Sequence, residues 1–210
     1  MIDLYTWSTP NGRKVSMMLE ECELDYTVHS INISKDEQFG ADFLKVSPNN
    51  RIPAIVDNDN GFSLFESGAI LMYLAEKTGK FLPQDFETKW RTVEWLMWQM
   101  GGVGPMIGQA HHFVKNNKGV SEYAETRYVN ESKRLYGVLD RRLADNEYMA
   151  GDYSIADIAT WPWISRFEWH TVDMNEFPNV VRWYKEIAAR PAVEKGYHIP
   201  VHQPDGIPLP

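Results

Sequence analysis

The sequence predicts an α/β domain in residues 1–80, a linker in residues 81–87 and an all-helical domain in residues 88–199. Three observations support this division. Short strand-like and helix-like segments alternate in the first part, the linker contains proline, and apolar residues in the remainder recur at the spacing of helices. The prolines within residues 200–210 predict an extended tail.

The α/β domain begins with a short strand, in which Ile2 and Leu4 alternate with polar neighbours. A turn at Pro10-Asn11-Gly12 then leads into an amphipathic helix. Charged residues such as Arg13 and Lys14 are expected to lie mainly away from the apolar face of this helix. That face consists of Val15, Met18, Leu19 and Cys22.

Further short elements complete the domain. Residues 26–33 are rich in β-branched and aromatic side chains and predict a second strand, and residues 36–46 predict a short helix. Residues 52–56 and 62–65 flank a turn that ends in Asn-Gly and therefore predict a hairpin, and residues 69–77 predict a helix. The resulting order, β-α-β-α-β-β-α, is thioredoxin-like.

The second domain shows two apolar helical stripes and one helix start. Ser154 and Asp157 have the spacing of a capping box, with Asp in place of the usual Glu or Gln. The stripes consist of Trp90, Val93, Leu96, Met97 and Met100, and of Tyr128, Ser132, Leu135, Leu139 and Leu143.

Composition excludes several classes of protein. The net charge is −8, with 29 acidic and 21 basic side chains, so the overall field repels nucleic acid and anionic lipid. We find no apolar run of about 20 residues and no signal peptide, so we expect a soluble cytoplasmic protein. The single cysteine, Cys22, rules out an internal disulfide and a CxxC motif, which disfavours a thioredoxin-type oxidoreductase. Because Cys22 lies on an apolar helix face, we expect it to be a core residue.

Three loops of the first domain, at residues 8–12, 51–53 and 66–68, should meet at one edge of the sheet. Pro53 opens a strand, and a cis peptide bond there would expose the Ile52 backbone to an extended peptide. An ordinary trans proline at a strand start is the alternative. Glu66 and Ser67 precede a helix and could bind the ammonium and carboxylate of an amino-acid head group, or Ser67 could simply cap that helix.

Thr9 and Asn11 stand at the start of the first helix. Asn11 is either the N-cap of that helix or, with Thr9 and the helix dipole, a hydrogen-bond donor to a bound thiolate. His111 and His112 are adjacent and so lack the spacing of a metal-binding pair on a helix. We therefore expect them to be polar helix residues or, for one of them, part of a cleft.

Several motifs together resemble the cytosolic glutathione transferase superfamily over residues 1–200. The motifs are SPNNRIPAI at 47–55, LFESGAI at 64–70 and YSIADI at 153–158. Two more, TPNG at 9–12 and WQMGGVGPM at 98–106, make the chain similar to the bacterial nu class and its disulfide-bond reductases. The resemblance implies the glutathione transferase fold, with glutathione as co-substrate and no metal.

The resemblance also implies roles for residues of the second and third loops. Pro53 would be cis, Ile52 would bind the cysteinyl backbone of glutathione, and Arg51 would complete that loop. Glu66 and Ser67 would hold the γ-glutamyl end.

For the remaining predicted site residues, the resemblance places Thr9 and Asn11 at the sulfur, as the catalytic pair. Gln38 would lie near the glycyl end, and Arg127 matches a helical arginine that reaches the glutathione site. Ser8 is an alternative partner of the thiol.

The implied activity is reduction of disulfides with bound glutathione as the nucleophile, with glutathione transferase or peroxidase side activity, in a homodimer. Two alternatives stay open at this point. One is a glutathione S-transferase that conjugates electrophiles, and the other is a non-catalytic regulatory protein with the same fold, as in the glutathione transferase-like domain of a yeast prion.

Overall fold

A computed structural model describes residues 1–210. The chain forms two compact units. The first contains Met1–Leu82 and Ala189–Ile207, and the second contains Pro83–Ala188 and Pro208–Pro210. No helix is long and apolar enough to cross a membrane.

Four strands and nine α-helices make up the regular structure. The strands are β1 Ile2–Thr6, β2 Tyr26–Ser30, β3 Ala54–Asp57 and β4 Phe62–Phe65. The helices are α1 Pro10–Glu21, α2 Ala41–Val46, α3 Ser67–Thr78, α4 Phe86–Trp98, α5 Gly104–Ala110, α6 Glu122–Ala144, α7 Ile155–Ile164, α8 Pro178–Ala188 and α9 Pro191–Tyr197. Two π-helical stretches, Gln99–Val103 and His111–Asn116, flank α5.

The first unit is built on a mixed sheet in the order β2-β1-β3-β4. β1 runs parallel to β2 and antiparallel to β3, and β3 and β4 form the predicted hairpin. Ile2 and Leu4 of β1 and Ile55 of β3 are buried. So are several apolar residues of α1 and α3, namely Val15, Met17, Met18, Leu19, Ile70, Leu71 and Leu74. This arrangement confirms the predicted thioredoxin-like α/β domain.

The segment between β2 and β3 differs from the prediction of one helix over residues 36–46. Two 3₁₀ turns, Ile33–Lys35 and Glu37–Phe39, precede α2, which begins only at Ala41. Asp36 between the two turns has a left-handed φ of 58°. Because left-handed backbone cannot continue a right-handed helix, the helix is interrupted there.

The end of the chain returns to the first unit, although residues 189–199 were assigned to the second domain by sequence. Ser16 donates to the Gly196 carbonyl at 2.7 Å, and a Cβ on Gly196 would lie 2.7 Å from the Met17 backbone. Arg190 forms two hydrogen bonds to Glu21, at 2.6 and 2.8 Å. These contacts hold α9 against α1, so a segment distant in sequence completes the first unit.

The second unit is helical, as predicted, and α7 is buried along its whole length. The capping box is present. The Asp157 carboxylate accepts from the Ser154 backbone N–H at 3.1 Å and also from Met149 N–H at 3.0 Å and Trp183 Nε1 at 2.8 Å. Burial raises the pKa of Asp157 to about 6 despite these donors. Asp157 therefore completes the capping box of α7 and also hydrogen-bonds to α8 through Trp183.

A chain of buried polar side chains crosses the same unit. His111 Nε2 lies 2.9 Å from His170 Nδ1, and His170 Nε2 lies 2.7 Å from the Tyr136 hydroxyl. Burial lowers the pKa of His111 to about 3 and the pKa of His170 well below its usual value. His111 is therefore a neutral core residue, whereas its neighbour His112 is exposed.

Candidate functional site

The register of the sheet brings the predicted loops to one edge. Tyr5 pairs with Ala54, and Ala54 pairs with Phe65. The end of β1, the start of β3 and the end of β4 therefore lie side by side. Residues 7–12, 51–53 and 66–68 extend from these three points, so the edge carries all three candidate loops.

Thr9 begins α1 as its N-cap. Its Oγ1 accepts from the Gly12 N–H at 3.1 Å. Asn11, the alternative N-cap, instead lies within the first helical turn and is half-buried. Interpreting Asn11 as the cap is therefore wrong. A hydroxyl that accepts a hydrogen bond still has a proton to donate, so Thr9 can cap the helix and donate as well.

The connection between β1 and α1 requires glycine at Gly12, the third residue of α1. A Cβ there would lie 2.2 Å from the Trp7 carbonyl oxygen and 2.5 Å from Thr6 Oγ1. Real Cβ atoms do not approach backbone so closely. The absence of a side chain at Gly12 thus lets α1 start directly above the end of β1, with its N–H groups toward the site edge.

The second loop enters β3 through a cis peptide bond between Ile52 and Pro53, which confirms the cis prediction. Pro53 is buried, Ile52 is half-buried and Arg51 is exposed. Ser47 donates to the Arg51 carbonyl at 2.8 Å, which holds the loop against the end of α2.

The third loop ends at Glu66, whose φ of 72° is left-handed. Glu66 is the exposed N-cap residue of α3, and Ser67 is the first residue of the helix. Interpreting Ser67 as a simple N-cap is therefore wrong. Ser67 is only 4% exposed, and its Oγ accepts from Lys14 Nζ at 3.3 Å. A carboxylate near Ser67 would meet a hydroxyl and the N-terminus of a helix.

Lys14 lies beside the third loop, where sequence reasoning did not place it. Its place off the apolar stripe predicts an outward-facing lysine, but the side chain is 1% exposed. Burial lowers its pKa to about 7, and the Glu66 carboxylate opposes that shift. The only signal in the sequence is its position one turn into a helix whose start carries the candidate thiol partners.

Two predicted residues belong to other segments of the chain than these three loops. Gln38 is half-buried in the 3₁₀ turn after β2, with Nε2 3.5 Å from Asp36 Oδ1. Arg127 is an exposed residue of α6 in the second unit. It lines a cavity of about 570 Å³ together with Met106, Tyr123, Thr126, Tyr128, Asn130, Glu131 and Arg134.

Cys22 is buried, as predicted. It is 5% exposed, its Sγ lies 3.5 Å from Thr78 Oγ1, and burial raises the pKa of its thiol. A reactive cysteine needs an exposed, easily ionised thiol, and Cys22 has neither property. The structure contains no group of three or more His, Cys, Asp or Glu side chains that could hold a metal ion.

Comparison with known families gives two matches. The glutathione S-transferase N-terminal domain matches residues 1–76, and the glutathione S-transferase C-terminal domain matches residues 104–191. The chain is 50% identical to the disulfide-bond oxidoreductase YfcG of Escherichia coli over 198 residues, covering 91% of this chain and 92% of YfcG. It is 41% identical to YghU of the same organism, also a disulfide-bond oxidoreductase, covering 93% and 73% of the two chains.

Solved structures of glutathione transferases have the same fold as this chain. A Pseudomonas putida glutathione transferase with one glutathione disulfide bound per subunit has a TM-score of 0.90 and 47% identity, over 95% of this chain and 91% of that one. A Burkholderia graminis glutathione transferase with two glutathione molecules bound per subunit has a TM-score of 0.90 and 45% identity, over 95% and 88%.

Proposed function

Because this chain belongs to the glutathione S-transferase family, we propose that it reduces disulfide bonds with glutathione bound at the sheet edge described above. One observation carries this proposal. A strand start at cis-Pro53, a helix start at Ser67 and a helix start at Thr9 meet at one edge, while the only cysteine is buried. The similarity to YfcG and YghU favours disulfide reduction over conjugation.

In the proposed binding mode, glutathione lies along the sheet edge. Its cysteinyl backbone pairs with the Ile52 backbone as a short added strand. The exposed Glu66 carboxylate attracts the γ-glutamyl ammonium, and Ser67 with the N-terminus of α3 binds the carboxylate. Arg51 borders this strand, and Gln38 is placed toward the glycyl end.

We place the glutathione sulfur at the start of α1, between Thr9 and Asn11. A thiol with a pKa of about 8.5 is mostly protonated at pH 7, and lowering that pKa by about two units requires about 2.7 kcal/mol. Two hydrogen bonds to a thiolate, together with a helix N-terminus, can supply a free energy of that size. Ser8 is the alternative donor in the same loop.

The reaction then needs no protein nucleophile. The glutathione thiolate attacks one sulfur of a disulfide RSSR′, the S–S bond breaks, and R′S⁻ leaves and takes a proton from water. A second glutathione thiolate attacks the mixed disulfide, which yields glutathione disulfide and RSH. Arg127 of α6 is proposed as a further glutathione contact.

We further propose a cytoplasmic homodimer. A single buried cysteine suits a reducing compartment. On α4, Phe86, Trp90 and Met97 are 81%, 56% and 49% exposed, an apolar surface suited to a second subunit. Light scattering on the purified protein measures the subunit number directly.

The activity is tested by comparing two reactions of glutathione, the reduction of bis(2-hydroxyethyl) disulfide and the conjugation of an aryl chloride. We expect enzyme-dependent disulfide reduction with little conjugation. Rapid conjugation with reduction at the buffer rate would instead identify a conjugating transferase. Glutathione binding with neither activity, and with no increase in thiolate absorbance on binding, would identify a non-catalytic protein.

A further inference from the structure

Lys14 is a charged residue buried where the proposed glutathione site meets the core. It is 1% exposed, and its Nζ lies 3.3 Å from Ser67 Oγ. The contact joins α1, which carries the proposed thiol partners, to the first residue of α3, which carries the proposed carboxylate site. Burying an ammonium costs several kcal/mol unless it is hydrogen-bonded and near an opposite charge. Ser67 accepts a hydrogen bond from Lys14, and the Glu66 carboxylate supplies an opposite charge.

The contact determines how the Ser67 hydroxyl can be used. In its ammonium form Lys14 has only donors, so Ser67 Oγ accepts in this hydrogen bond. The proton of the hydroxyl therefore points away from Lys14, and the hydroxyl can act as a donor. A donor is the role that a ligand carboxylate requires of Ser67.

The charge of Lys14 adds a second effect. Burial shifts its pKa down to about 7, and the opposing effect comes from the Glu66 carboxylate. When Glu66 pairs with a ligand ammonium, it becomes less able to stabilise the lysine. An incoming carboxylate beside Ser67 would replace that stabilisation at short range in a poorly hydrated environment.

We propose that Lys14 is a positioning residue that selects ligands with an α-carboxylate, by holding Ser67 as a donor and by supplying the balancing positive charge. This inference rests on the proposed glutathione site and names the basis of its specificity for the γ-glutamyl group. Lys14 acts through Ser67 and does not touch the sulfur.

The experiment compares binding of glutathione with binding of 4-aminobutanoyl-cysteinyl-glycine, which lacks only the α-carboxylate. In Lys14→Met, which keeps the length of the side chain without its charge, we expect the Kd for glutathione to rise tenfold or more, which equals about 1.4 kcal/mol. The Kd for the analogue should change less than threefold. The KM for glutathione should rise likewise, with kcat within about threefold, because Thr9 and Asn11 are unchanged.

Two further variants complete the design. Lys14→Gln keeps a donor but removes the charge, and it provides the same comparison if Lys14→Met does not fold. Lys80→Met is the matched control and should bind both ligands like the unmodified protein. Lys80 lies just beyond the C-terminal end of α3 and pairs with Glu23 at 3.4 Å.

The outcomes separate this inference from the proposed function. Equal weakening of both ligands, or no weakening of either, would overturn the role of Lys14 while leaving the glutathione site in place. If the unmodified protein does not bind glutathione at all, the proposed function itself fails.

Discussion

Each unit of the protein buries a cluster of polar side chains, and the two clusters differ in charge. In the second unit, His111, His170 and Tyr136 bond to one another, and burial keeps both imidazoles neutral. In the first unit, Lys14 is buried and donates to Ser67, and burial lowers its pKa to about 7. The polar groups of the neutral cluster bond to one another and need no ligand. A bound anion would stabilise a buried ammonium near the start of a helix. We propose from this difference that polar burial serves stability in the second unit and ligand binding in the first.

The largest expected effect is on the backbone that carries the site. Gly12→Ala should lower the free energy of unfolding by about 4 kcal/mol, because the new Cβ would lie 2.2 Å from the Trp7 carbonyl oxygen. Gly101→Ala is the control, since nothing lies within 4 Å of its Cβ position. Urea unfolding measures both variants. Equal stability of the two would show that the first unit tolerates movement of α1.

The next effect concerns turnover rather than stability. Asn11→Ala should lower kcat for disulfide reduction about 100-fold, because one donor to the thiolate is lost, while the Kd for glutathione changes less than threefold. Asn58→Ala, which removes a hydrogen bond to Asp3 at 2.9 Å in the hairpin turn, should leave kcat unchanged. If Asn11→Ala keeps full turnover, Asn11 has only a structural role.

Acid should weaken the second unit. The unfolded chain protonates histidine near pH 6.5, whereas His111 and His170 stay neutral when folded, so the unfolded state binds more protons below that pH. Asp157 acts in the opposite direction, because its raised pKa of about 6 makes the folded state take up a proton first. Between pH 6.5 and 5 the net loss should be about 2 kcal/mol, measured by urea unfolding. Constant stability over this range would mean that the histidines ionise without unfolding.

The smallest expected effect is the loss of unfolding free energy when one hydrogen bond of the neutral cluster is removed. Tyr136→Phe removes the partner 2.7 Å from His170 Nε2 and should cost about 1.5 kcal/mol. Glutathione affinity should not change, since no residue of this cluster is among the proposed glutathione contacts. Tyr123→Phe, at a residue 77% exposed, should cost less than about 0.5 kcal/mol. A loss of glutathione affinity in Tyr136→Phe would contradict the inference that the polar cluster of the second unit serves stability and not ligand binding.

Local patterns predicted much of the first unit. The hairpin is recognisable because turns depend on a few neighbouring residues. The helix starts are predicted less well, because Thr9 rather than Asn11 caps α1, and α3 begins at Ser67 rather than Ala69. The cis bond before Pro53 follows from the family resemblance, not from local pattern. The break at Asp36 was not predicted, since Asp tolerates helical and left-handed backbone alike. The roles of Thr9, Asn11, Gln38, Arg51, Ile52, Glu66, Ser67 and Arg127 toward glutathione stay predictions.

The sequence by itself determined the order of the elements, the family and the loops that carry the site. These follow from periodicity and short motifs, which act over a few residues. Only the tertiary structure decided that α9 packs on α1, that His111 meets His170, and that Lys14 lies under Ser67. Each of these contacts joins residues at least 53 positions apart, and a lysine looks the same in sequence whether it faces water or a buried hydroxyl. Thus the three candidate loops could be located from the sequence, but the placement of Lys14 beside Ser67 depended on packing.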